Sequence, residues 1–209
     1  MADFPSPPAP VPTGLDGFLL WPELLTLEQQ KQIVDHVRQA VRLAPLYRPV
    51  TPGGRPFSVR MSNWGPLGWV SDKNGYRYQP LHPQTNQPWP PLPALLLDIW
   101  RATANHPRLP DACLINFYDA EARMGLHQDK DEADFSAPVL SISLGDSAIF
   151  RYAPAGDGPS RTVKLSSGDV CVLGGKARLA RHGIDRILDG TSQLLPRGGR
   201  INLTMRVAQ

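Results

Sequence analysis

The feature that most constrains this chain is the texture of its second half. From Asp111 to Val207, short runs rich in Val, Ile, Leu and Phe (ACLINFY, VLSISL, AIFRY, TVKL, VCVLGG, RINLTMRV) alternate with turn-forming stretches (DAEARMG, GDS, PAGDGPS, SSGD). Such segments are too short for ordinary helices. Their β-branched and aromatic content, punctuated by Gly, Asp, Ser and Pro, marks antiparallel strands. A succession of roughly eight such strands closes most readily as a sandwich or jelly roll whose interior can host a site.

The first half supplies different material. Thr26 with Gln29 three residues later forms a capping box, and Ile33, Val34, Val37 and Val41 recur on one face, which predicts a helix over 26–44 with His36 at its surface. Pro93 opens a second helix whose buried side carries Leu95, Leu96, Ile99 and Trp100. Between them, residues 45–92 are rich in Pro, Gly, Asn and aromatic rings and show no periodicity. So long an irregular stretch in a compact domain marks a functional lid or a linker. Trp64, Trp69, Tyr76, Tyr78 and Trp89 argue against a solvated tether, and NGYRY after GWVSDK carries the Asn-Gly signal of a hairpin. We therefore expect a lid of short strands. Residues 1–12 hold five of the 23 prolines, so 1–14 are expected to be a flexible tail outside the fold. That leaves 15–209 as a single α+β domain, with supporting N-terminal helices and a strand core over 111–207.

Composition excludes several classes. No apolar run approaches the roughly 18 residues of a spanning helix, and the N-terminus lacks the basic start and apolar core of a secretory signal, so a cytoplasmic protein with no membrane partner is expected. The two cysteines, Cys113 and Cys171, form neither a disulfide framework nor a zinc-finger spacing. A net charge of +3 permits a nucleic-acid partner without requiring one.

Chemistry concentrates around HQDKDE. In an extended backbone His127 and Asp129 project from the same face while Gln128 faces away. Of the remaining histidines, His36 and His106 lie in or beside helices and His82 lies in the Pro-rich stretch. His182, in RHGI after VCVLGG, is the plausible third ligand. Two histidines and one carboxylate form the facial triad of non-heme Fe(II) oxygenases, which leaves coordination positions open. Catalytic zinc accepts the same set, so the ligands alone do not fix the metal. Taken alone, HxD also fits a surface histidine beside an acidic cluster.

The segment RINLTMRV alternates, with Arg200, Asn202, Thr204 and Arg206 on one face and Ile201, Leu203, Met205 and Val207 on the other. Its polar face suits water or a lined pocket. In a pocket the two arginines would need anions to offset desolvation, and a dicarboxylate offers the paired geometry that guanidinium prefers. Asn116 and Tyr118 likewise share a face of LINFY, as do Ser141 and Ser143 of VLSISL.

HQDKDE, the distal histidine of RHGI and RINLTMR, preceded by DACLINFY, together resemble the AlkB family of alkylated-nucleic-acid repair dioxygenases. The likeness continues through TPGGRPFSVRMSNWGPLGWV, GYRYQP and PQTNQPWP, and so spans residues 15–207. It implies a double-stranded β-helix, a jelly-roll core that uses Fe(II) with 2-oxoglutarate and O2 as cosubstrates. His127, Asp129 and His182 would be the iron ligands. Arg200 and Arg206 would pair with the carboxylates of 2-oxoglutarate, and Asn116, Tyr118 and Asn202 would assist. Residues 45–92 would be a nucleotide-recognition lid, in which Trp69 stacks on the damaged base opposite His127 while Tyr76 and Thr51 contact the nucleic-acid backbone. Asp131 would face the base with Glu132 close by. Arg161 would be a phosphate contact, although the loop around 156–160 is abbreviated against the family pattern.

The activity implied is oxidative demethylation of N-alkylated bases such as 1-methyladenine and 3-methylcytosine. Formaldehyde leaves, and 2-oxoglutarate becomes succinate and CO2. Such lesions are cationic, which suits Asp131 and Trp69, and they cannot pair, which lowers the cost of flipping the base out. Single-stranded DNA is thus the preferred partner, with double-stranded DNA and RNA as further candidates, and the protein is expected to act as a monomer. The alternatives are the same chemistry on tRNA or a protein side chain, or a metal-stabilised jelly roll that recognises damage without turnover.

Overall fold

The structure, a computed structural model, describes residues 4–209. In chain order its elements are β1 (Phe18–Trp21), α1 (Leu27–Leu43), β2 (Arg60–Trp64), β3 (Gly68–Asp72), β4 (Gly75–Gln79), α2 (Ala94–Thr103), β5 (Ala112–Tyr118) and β6 (Met124–His127). They continue with β7 (Val139–Gly145), β8 (Ser147–Ala153), β9 (Arg161–Leu165), β10 (Val170–Leu173), β11 (Arg181–Leu188) and β12 (Arg200–Arg206). A six-stranded sheet runs β1-β10-β7-β12-β5-β2, a four-stranded sheet runs β6-β11-β8-β9, and β3-β4 form a separate hairpin. Each of these pairings is antiparallel.

The molecule has three layers. Helix α1 begins on the expected capping box, in which the Thr26 hydroxyl accepts from Gln29 N while the Gln29 side chain accepts from Thr26 N. Ile33, Val34 and Val37 of α1, with Leu96, Ile99 and Trp100 of α2, pack on Ile115, Leu140, Ile142, Leu203 and Met205 of the six-stranded sheet. The opposite face of that sheet meets the four-stranded one through Phe18, Leu114, Val139, Phe150, Tyr152 and Ile184. The alternation of β12 is thereby decided. Its apolar face lies under the helices, and its polar face turns inward between the sheets rather than out to water.

Two expectations need correction. The segment 45–92 is not all lid: Arg60–Trp64 is the edge strand β2, hydrogen-bonded to β5, and Trp64 belongs to the main core. The hairpin lies at 68–79, where Lys73 and Asn74 turn between the paired residues Asp72 and Gly75, and Gly75 supplies the positive φ of 107°. The Pro-rich segment is not outside the fold either. Phe4 packs on the helix-side core, the Trp21 indole donates to Pro8 O at 2.8 Å, and Val11 bridges Leu20. Thr13 O accepts from the Tyr152 hydroxyl at 2.7 Å. Residues 1–3 of the expected tail lie outside the described residues. Among the described residues, no helix is long and apolar enough to cross a membrane.

Candidate metal and cosubstrate site

The site is assembled by the pairing of β6 with β11. His182 stands directly opposite His127 in that ladder, and directly opposite side chains lie within reach of one another. Their rings approach to 4.5 Å between centroids. Gly183 lets the two strands meet: a Cβ there would lie 2.4 Å from Met124 O and 2.8 Å from Gly125 O. Asp129 follows the end of β6 and folds back between the histidines, with Oδ1 3.8 Å from His127 Nε2 and Oδ2 3.6 Å from His182 Nε2. One ligand atom from each of the three lies within 4.8 Å of the others.

Backbone contacts set the tautomers. His127 Nδ1 lies 2.9 Å from Gly125 O and His182 Nδ1 lies 3.0 Å from Ala180 O. A carbonyl only accepts, so each Nδ1 carries the proton and each Nε2 presents its lone pair, the arrangement that orients metal-binding histidines. Burial pushes His182 down to about 4, so the ring is a neutral ligand at neutral pH. For Asp129, burial alone would raise the carboxyl. Arg206, then His182 and His127, outweigh that effect and hold it well below the usual carboxylate range.

Arg206 Nη2 lies 2.8 Å from Asp129 Oδ1, while Asp129 Oδ2 is buried with no hydrogen bond. Behind this pair Glu132 takes Arg178 at 3.0 Å, and Arg178 also donates to Asp129 O and Ala137 O, each at 2.7 Å. The polar face of β12 continues the wall. Asn202 donates to Ser141 Oγ at 2.6 Å and Ile142 O at 3.2 Å, and it accepts from Thr204 at 3.0 Å and Asn116 at 3.4 Å. Arg200, opposite Tyr118 in the ladder and fully buried, donates to Ser143 Oγ at 2.7 Å and Asp146 O at 3.4 Å and has no carboxylate partner among the described residues. Burial pushes the Tyr118 phenol up to about 12.

Most of these groups border a cavity of about 410 Å³; Arg200, expected at the cosubstrate, does not line it and lies behind the wall with Ser143. His127, Asp129, His182, Asn116, Tyr118, Asn202 and Arg206 all line it, as do Trp69, Tyr76 and Asp131 at its mouth. There the Trp69 indole donates to Asp131 Oδ2 at 2.7 Å and stacks on Tyr76, 5.6 Å between centroids at 15°. The other three expected substrate residues stand apart from that mouth. Glu132 borders the cavity, but its carboxylate is buried against Arg178, Arg206 and the Tyr78 hydroxyl, so it faces the protein interior rather than a base. Thr51 accepts from Arg55 N in its own turn, and Arg161 donates to Gly14 O; neither lines the cavity. Arg178 and Tyr78, which hold Glu132, join the site without a mark in the sequence. A buried arginine within GGKARLARH carries no single-sequence signal that separates it from the surface bases around it.

The donor set fits a divalent metal and a dicarboxylate. An orphan carboxylate oxygen on Asp129 lacks a cation, and the orphan Nε of Arg200 belongs to a guanidinium lacking an anion. Two histidines and a carboxylate with open positions suit non-heme Fe(II).

Comparison with known proteins agrees with this geometry. The family model of the 2OG-Fe(II) oxygenase superfamily matches residues 17–206. The alpha-ketoglutarate-dependent dioxygenase AlkB homolog of Caulobacter vibrioides is 52% identical over 198 residues, covering 94% of this chain and 90% of that protein. The alpha-ketoglutarate-dependent dioxygenase AlkB of Escherichia coli K12 is 42% identical over 183 residues, covering 85% of this chain and 84% of that protein. The solved structure of OsALKBH1 superposes with a TM-score of 0.78 at 32% identity, over 91% of this chain and 96% of that one. With the facial triad in place and relatives matched over most of its length, the chain belongs to the AlkB family of Fe(II)- and 2-oxoglutarate-dependent dioxygenases, within the 2OG-Fe(II) oxygenase superfamily.

Proposed function

We propose that this dioxygenase oxidatively demethylates N-alkylated bases in DNA, 1-methyladenine and 3-methylcytosine among them, preferring single strands and also accepting RNA. A monomer acting in the cytoplasm belongs to the same reading. The observation that carries it is the mouth of the cavity: an exposed carboxylate, Asp131, bound to the indole of Trp69 at a cavity that His127 also lines. An aromatic face with an anion at its edge attracts a flat cation, and these lesions are flat cations.

When bound, Fe(II) with 2-oxoglutarate and O2 supplies the oxidation, one oxygen atom entering the methyl group and the other entering succinate as CO2 leaves. The chain's own residues do the rest. Arg200, without a carboxylate of its own, anchors one end of the cosubstrate, and Tyr118 borders the same end. Asn116 and Arg206 steady the other end beside the triad. Trp69 and His127 hold the base between two rings, and Asp131 pairs with its exocyclic donor while offsetting its charge. Once hydroxylated, the methyl carbon leaves as formaldehyde and the base is restored.

The test is mass spectrometry of a single-stranded oligonucleotide bearing one 3-methylcytosine, incubated with protein, Fe(II) and O2. Loss of one methylene's mass only when 2-oxoglutarate is present, with succinate formed, is the expected result. Asp131→Asn should slow 3-methylcytosine about five- to tenfold more than neutral 1-methylguanine, the worth of one partly solvated charge. An unchanged oligonucleotide with succinate still formed would move the substrate to tRNA or protein, and equal losses on both lesions would remove Asp131 from selection.

A further inference from the structure

The hairpin does more than border the cavity. Trp69 and Tyr78 are register partners on β3 and β4, and they are held by consecutive acids, Asp131 and Glu132. The two contacts differ in kind. The Trp69 contact is exposed, at the mouth, whereas the Tyr78 hydroxyl donates to Glu132 Oε1 in a place where the glutamate side chain is only 2% exposed.

Four charges meet behind that hydroxyl, Arg178 and Arg206 against Asp129 and Glu132, all nearly buried. How they share partners decides what the site can bind. Glu132 Oε2 is committed to Arg178. Its Oε1 accepts the phenol proton of Tyr78 and lies 3.3 Å from Arg206 Nε, but out of line with that N–H, so the nitrogen is buried without an aligned hydrogen bond. Arg206 is thus held near two carboxylates and saturated by neither: Nη2 binds Asp129 Oδ1, Nε is left over, and Asp129 Oδ2 stays free between the histidines.

We infer that Tyr78 and Glu132 are positioning residues. Tyr78, by occupying Glu132 Oε1, keeps Arg206 from closing onto Glu132, and Glu132 keeps Arg206 from turning both nitrogens onto Asp129. The donors that Arg206 presents to the cavity are then available to a cosubstrate carboxylate, and the leftover carboxylate oxygen to the metal. Seating of the hairpin and readiness of the site become one event, since the tyrosine that does this belongs to β4. The inference rests on the assignment of Arg206 to the cosubstrate made above.

Tyr78→Phe keeps the ring and deletes the one hydroxyl. Titrating 2-oxoglutarate into the Mn(II)-loaded protein, we expect binding about tenfold weaker than in the parent, the usual scale for a residue acting through a network. Mn(II) affinity without cosubstrate should stay as in the parent, and the unfolding midpoint should fall only by the few degrees, about 2–6 °C, that one buried hydrogen bond is worth. With Fe(II), KM for 2-oxoglutarate rises while kcat stays within twofold, a split that a loss of packing would not give. Glu132→Gln, which keeps the shape and lowers the charge, should weaken Mn(II) itself, as Arg206 moves onto Asp129 Oδ2. If Tyr78→Phe binds 2-oxoglutarate within twofold of the parent, the inference is overturned, and so it is if Glu132→Gln retains full Mn(II) affinity. Arg206→Lys separates the premises. Normal cosubstrate binding in that variant removes the Arg206 assignment itself, whereas weakened binding there with none in Tyr78→Phe removes only the positioning role.

Discussion

Arg200 shows how a single residue can be costly to the fold and necessary to the site. It is fully buried, burial pushes its guanidinium pKa down, and its bonds go to a hydroxyl and a carbonyl rather than to a carboxylate. An uncompensated buried cation is destabilising until an anion arrives. Arg200→Met should therefore unfold at the same temperature as the parent or higher without 2-oxoglutarate, yet gain nothing when it is added, with KM for 2-oxoglutarate raised at least about tenfold. The parent should gain roughly 2.7 kcal/mol at a hundredfold excess over Kd. A thermal scan of both proteins with and without cosubstrate checks this. A variant that is destabilised and still responds would put the carboxylate elsewhere. The alternation of β12 made Arg200 and Arg206 legible as a pair in the sequence. It could not say that the polar face turns inward, which depends on a second sheet packed over it, nor that Arg206 has carboxylate partners and Arg200 has none.

At the level of elements, the metal site depends on how closely β6 approaches β11. The sequence showed His127 and Asp129 on a common face, but neither of these strands stood out as a strand. β6 has four residues, all at least partly exposed, so no buried alternation marks it. β11 carries polar residues and a register shift between Ile184 and Arg186, which breaks the period of two on which recognition of strands depends. The strands with continuous apolar texture were legible because both of their faces are covered. Gly183→Ala tests the approach directly. Its Cβ would press on Met124 O and Gly125 O, which are backbone atoms that cannot rotate away, so β6 must move and carry His127 from His182. We expect Mn(II) affinity to fall more than tenfold and stability to fall about 1–3 kcal/mol, the usual cost of overpacking. Chelator competition reads the first and denaturant unfolding the second. Unaltered Mn(II) affinity would mean that the ligands are not set by this strand pair.

For the whole molecule, the outcome least visible in the sequence is that the N-terminal segment joins the layers. Its prolines argue against a helix or a regular strand, and the described residues form neither, but an absence of ladder hydrogen bonds is not an absence of contacts. Phe4 reaches the helix-side core, Pro8 O satisfies the buried Trp21 indole, and Thr13 O takes the Tyr152 hydroxyl of the four-stranded sheet. Arg161, expected at phosphate, donates to Gly14 O in the same strap. The strap thus ties both sheets together on β1 and β8, while the triad and the polar face of β12 draw nothing from it. Deleting residues 1–12 removes the partner of one buried indole and a patch of apolar contact, about 2 kcal/mol in all. For a chain of this size that lowers the unfolding midpoint by about 4–8 °C. Because none of the lost contacts touches the cavity, KM for 2-oxoglutarate and Mn(II) affinity should remain as in the parent. A midpoint within 1 °C of the parent would show that the segment contributes no stability in solution, and a raised KM would show that the strap reaches the site through β1.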